Sequence, residues 1–80
     1  MTRELEPTVR CSPRRVRAAR TAAGLTRLAL LGLVRQAGVG EKAFARVLNG
    51  TRVPVSQARA VAEALGVPLD ALLPPGAEAS

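Results

Sequence analysis

Lys42, Ala45, Arg46 and Asn49 recur at i, i+3, i+4 and i+7 in the segment running from Glu41 to about Leu48. That spacing puts them on one face of a helix. The face holds two cations, an amide and a small residue, with no acid among them. Such groups donate hydrogen bonds and attract negative charge; they make neither a nucleophile nor a proton-transfer pair. Phe44, Val47 and Leu48 sit at i, i+3, i+4 on the other side and read as the core face.

The remaining residue types narrow the chemistry further. The chain has no His, so it lacks the commonest general base and the commonest transition-metal ligand. Cys11 is its only cysteine, which excludes an internal disulfide and a multi-Cys zinc site. Ser12 reads as a helix cap, and Glu41 and Glu63 have no acid/base partner. No metal, no cofactor and no catalytic residue are expected, and an enzyme is the least favoured class. Twelve basic residues against six acidic ones give a net charge of +6. The isoelectric point is near 11.6. All twelve bases lie within residues 1–59 beside only Glu4, Glu6 and Glu41, a local charge of +9. Residues 60–80 carry Glu63, Asp70 and Glu78 alone, a charge of −3. A basic body of this kind calls for a polyanionic partner.

These side chains need a frame, and 80 residues with 48% apolar composition supply one small domain. Phe44 is the only aromatic, so Leu, Val and Ala must fill the core, which suits close-packed helices. Ser12-Pro13 opens a first helix, with Val16, Ala19 and Ala23 on its core face and Gly24 as its stop. Thr26 caps a second, in which Leu28, Leu31 and Val34 form a stripe widened by Leu30, Leu33 and Ala37. A stripe that wide predicts a central, largely buried helix. Gly38, Val39 and Gly40 force a sharp turn into the helix that begins at Glu41, and Asn49-Gly50 stops that one. Ser56 caps a fourth helix with Ala58, Val61, Ala62 and Leu65 at i, i+3, i+4, i+7, ended by Gly66. Val67-Pro68 opens a short fifth. The expectation is all-α: five compact helices over residues 13–73 and no strand. Residues 1–12 read as a flexible basic arm and residues 74–80 as a disordered tail. The apolar run Leu25–Val34 is about half the ~20 residues of a membrane span, and no h-region marks the start. A cytoplasmic, nucleoid-associated protein with no membrane partner is expected.

The order helix, tight Gly-containing turn, helix is a helix-turn-helix layout. Three stretches carry a resemblance: AAGLT at 22–26, QAGVGEKAFARVLNG at 36–50 and AEALGVPLDALL at 62–73. In this order and spacing the chain resembles the Cro/phage-repressor-like (Xre-type) DNA-binding domains, a lambda-repressor-like fold. Gly40 stands where that family usually has a Ser or Thr cap. About three residues are extra between Thr26 and Gly38, so either the second helix is longer or its start shifts toward Ala29. The resemblance implies base-reading roles for Glu41, Lys42 and Arg46. Arg46 is the strongest of these, because its planar fork can pair with guanine O6 and N7. It implies phosphate contacts for Thr26, Arg27, Asn49, Thr51 and Arg52. Arg3, Arg10, Arg14 and Arg15 are candidate arm contacts to the backbone or minor groove.

What this implies is a sequence-specific regulator of bacterial or phage type that binds double-stranded DNA: a small repressor, a Cro-like protein or an antitoxin. One recognition helix reads few base pairs, so a homodimer on two half-sites is expected. The alternative is a protein-binding module that turns the same fold to a partner such as a toxin or RNA polymerase. Every apolar stripe begins at Val16 or later, so removing residues 1–11 is expected to leave the helices intact.

Overall fold

Ser12 and Thr26 start the first two helices in the same way. Each adopts an extended backbone, and its hydroxyl oxygen accepts a bond from the amide three residues on: Arg15 N–H to Ser12 at 3.3 Å, Ala29 N–H to Thr26 at 3.1 Å. The computed structural model describes residues 6–74. Among them lie α1 (Pro13–Ala22), α2 (Arg27–Gln36), α3 (Glu41–Asn49) and α4 (Val55–Leu65), then a 3-10 turn over Leu69–Leu72. The extra residues before Gly38 therefore lengthen α2, which starts directly after Thr26.

The architecture is mostly helical, but the expected five helices are four. The last segment stays a single 3-10 turn because Pro74 follows Leu73, and a residue before proline is pushed out of the helical region. Leu73 is extended at φ −79, ψ 150. Leu72 still anchors the turn, fully buried.

Two short strands are also present where none was expected. β1 (Thr8–Val9) pairs antiparallel with β2 (Val53–Pro54), Thr8 facing Pro54 and Val9 facing Val53. The arm expected over residues 1–12 is, from residue 6 onward, part of the folded body. Cys11 is buried in the core. The Val55 amide donates to Pro7 O at 2.9 Å, and the Ser12 amide to Leu72 O at 2.7 Å. Glu6 accepts from the Ser56 amide at 3.1 Å and the Ser56 hydroxyl at 2.9 Å. Ser56 is thus not the cap of α4. That helix starts two residues earlier, with Pro54 at the cap position, and a carboxylate fifty residues away satisfies a first-turn donor instead. The 74–80 tail, apart from Pro74, lies outside the described residues.

The core gathers one face from each helix: Val16 of α1, Leu30 and Val34 of α2, Phe44 and Val47 of α3, and Ala58, Val61, Ala62 and Leu65 of α4. Phe44 is its largest side chain. In α2 the stripe is narrower than expected. Leu30 and Val34 are fully buried and Leu31 partly, while Leu28 is 79% and Leu33 39% exposed. Four helices of this size have no interior layer that could surround α2, so its far side faces solvent. Ala23 is exposed too, because α1 ends before it.

Candidate nucleic-acid interface

α3 divides along its length as its periodicity requires. Phe44 and Val47 are buried, Lys42, Arg46 and Asn49 are exposed, and Ala45 is half-buried between them. Both ends of the helix are held. At the entry, Gly38 takes φ +89, a left-handed conformation that costs glycine little. This lets its amide bond Arg35 O at 3.0 Å and the Val39 amide bond Val34 O at 2.9 Å, while Val39 tucks into the core. At the exit, the Thr51 amide bonds Arg46 O at 2.9 Å. Gly40 caps the N-terminus without a side-chain bond, so the first-turn amides keep their donor capacity for solvent or a ligand.

Glu41 lies in that first turn and meets Arg35 at 3.5 Å, with both side chains well exposed. An ion pair this exposed holds neither group firmly. It is the only ion pair among the described residues. Lys42 and Arg46 therefore present charge with no carboxylate against it.

Of the residues expected on phosphates, Thr26 and Arg27 start α2, Asn49 ends α3, and Thr51 and Arg52 follow in the loop. All five are exposed. The Thr26 oxygen accepts the Ala29 amide, which leaves the hydroxyl proton free to donate. Arg52 is partly committed: its Nη1 donates to Thr8 Oγ1 at 3.2 Å and Thr8 O at 3.5 Å, tying the loop to β1. Of the arm residues, Arg3 lies outside the described residues. Arg10 and Arg14 are exposed and Arg15 is half-buried. They sit on an ordered segment rather than on a free arm.

The chain also brings together residues of three helices whose shared site the sequence alone does not show. Pro13, Arg17 and Arg20 of α1, Arg27 of α2, and Leu48 and Asn49 of α3 line one cleft of about 180 Å³. Arg17 and Arg20 are three apart and so share a helix face, a signal visible in the sequence. What spacing does not show is that α1 packs against α3 and brings that face beside Asn49. Arg20 is half-buried and its Nη1 donates to Leu25 O at 3.1 Å, which fixes its direction.

Among the described residues, no group of three or more His, Cys, Asp or Glu could hold a metal ion. Burial pushes the Cys11 thiol pKa upward, away from a reactive thiolate. No described helix is long and apolar enough to cross a membrane. In comparisons with known proteins, no protein-family model, no curated protein and no solved structure matches this chain.

Proposed function

We propose that the protein is a sequence-specific double-stranded DNA-binding regulator, of the Cro/phage-repressor-like kind, that lays α3 in the major groove and acts as a homodimer on two half-sites. One observation carries this reading: α3 turns Lys42, Arg46 and Asn49 outward with no carboxylate opposing the two cations. Arg46 supplies bidentate donors to a guanine edge, and Lys42 reaches guanine or phosphate. Glu41, exposed at the helix start, accepts from a cytosine amine. Thr26, Arg27, Asn49, Thr51 and Arg52 flank α3 and take backbone phosphates, which fix register without reading sequence.

Selection of binding sites from random duplexes, followed by titration of Arg46→Ala, tests it. The variant should lose about 1–3 kcal/mol on the selected site and relax preference at one base-pair position. Its unfolding midpoint should barely move, because the side chain is exposed. Equal losses on selected and random DNA would remove Arg46 from base reading.

A second reading, a module that binds another protein, has its own observation. The outward side of α2 shows Leu28, Ala29, Gly32, Leu33 and Gln36, all exposed and none charged. Salt separates the two readings: phosphate contacts weaken steeply as salt rises, and an apolar protein interface does not.

A further inference from the structure

Three arginines, Arg17, Arg20 and Arg27, line the cleft between α1, α2 and the end of α3, and no carboxylate lines it. Like charges brought together in this way repel, and an arriving anion relieves that repulsion. Each group is a fork of N–H donors shaped for phosphate oxygens. Arg20 is already oriented by its bond to Leu25 O. Arg27 is the first residue of α2, so the positive end of a ten-residue helix lies beside the cleft. Asn49 adds an amide donor and connects the cleft to the outward face of α3.

Size selects among anions. The cleft, at about 180 Å³, is smaller than the roughly 300–1,000 Å³ of pockets that enclose whole small molecules. It admits a single charged group projecting from something larger.

We infer that this cleft seats one phosphodiester group of the DNA backbone beside the base pairs read by α3, with Arg17, Arg20 and Arg27 sharing that one phosphate and Asn49 bridging to the reading face. The inference rests on the DNA-binding reading above. It assigns α1 a part in the interface, and it makes the three arginines a unit rather than three separate contacts.

A neutral methylphosphonate walked one position at a time along the selected duplex tests it, with the full chain as binder. Wild-type protein should lose affinity several-fold at the position that enters the cleft. The double variant Arg17→Gln/Arg27→Gln changes two exposed side chains, so its far-UV circular dichroism should match wild type. It should bind the unmodified duplex more weakly and show no further loss at that position. One shared phosphate also predicts a salt slope shallower by about 0.9, so the variant should lose about 3.5-fold less affinity than wild type between about 50 and about 200 mM salt. Arg20→Gln added to the double variant should change the slope little more, because the phosphate is already lost. A double variant as sensitive as wild type at every position, or a slope that drops in step with each arginine removed, overturns the shared seat. If those results come while Arg46→Ala still relaxes base preference, the cleft alone is refuted; a wild-type chain that binds no duplex refutes both readings. Saturable binding of inorganic phosphate at micromolar concentration, without duplex, overturns the assignment to a polymer's phosphate.

Discussion

Gly50 and Gly66 form a matched pair for measuring what holds the end of the reading helix. They follow α3 and α4 with nearly the same left-handed backbone, φ +77 and +76. An alanine at either site incurs about 1–2 kcal/mol for placing a Cβ in that conformation. Their surroundings differ. A Cβ at Gly66 meets nothing within 4 Å, whereas at Gly50 it meets Pro13 Cγ at 3.1 Å, Pro13 Cδ at 3.2 Å and Cys11 O at 3.5 Å. The proline ring is closed onto its own backbone and cannot swing aside, so α1 or α3 must shift by a few tenths of an ångström. Overpacking of this sort costs about 1–3 kcal/mol. Gly66→Ala should therefore lose about 1–2 kcal/mol and Gly50→Ala about 2–5 kcal/mol. Marginal stability of about 0.05–0.15 kcal/mol per residue gives the whole chain only about 4–12 kcal/mol. Urea and thermal unfolding followed by circular dichroism measure the difference, and each kcal/mol moves the midpoint by about 4–8 °C. Equal losses, or a greater loss at Gly66, would refute the close approach of α1 to the end of α3.

The same measurements check three further expectations. Phe44→Ala should lose about 3–5 kcal/mol, since it empties the largest buried side chain of the core; a variant that stays as stable as wild type but no longer binds DNA would mean that α3 is rotated. Removing residues 1–11 should lower the unfolding midpoint by more than 5 °C, on the order of 1–3 kcal/mol, as the bonds at Pro7 and Glu6 and the Cys11 packing are lost; an unchanged midpoint would return the segment to the status of a free arm. Burial raises the folded Cys11 pKa above its unfolded value, so the thiol's contribution is present below the unfolded pKa and fades as pH climbs into the alkaline range; Cys11→Ala should flatten that part of the stability profile, and an unaltered slope would assign it to other groups.

What was legible in the sequence follows from how each feature is encoded. Caps and stops are local: Ser12, Thr26 and Gly50 act on backbone groups within a few residues, so these helix ends could be read directly, whereas the start of α4 is held by Glu6 from fifty residues away and could not. The division of α3 was legible because it needs only one helix and one period. The phase of α2 was not. Leu28, Leu30, Leu31 and Leu33 leave two rotations of the stripe open, and only packing on α3 and α4 settles on Leu30 and Val34. The strands escaped because two residues cannot display an alternation. Thr8–Val9 and Val53–Pro54 are strands only by virtue of each other, forty-odd residues apart.

That last pairing changes how the basic N-terminal region relates to the interface. A free arm would add charge to DNA binding and nothing to stability. A paired segment does the reverse: Glu6 holds the start of α4, Thr8 holds Arg52, and Cys11 fills the core beside α1. Arg52 sits just after the reading helix, so β1 constrains where its guanidinium can point. Loss of β1 therefore acts twice, once through the global stability that it lowers and once through the loop that it releases. The two effects separate experimentally. Thr8→Ala removes the side-chain acceptor of Arg52 but keeps the Thr8 carbonyl and the backbone ladder, so a change in DNA affinity at constant unfolding midpoint would belong to the loop alone.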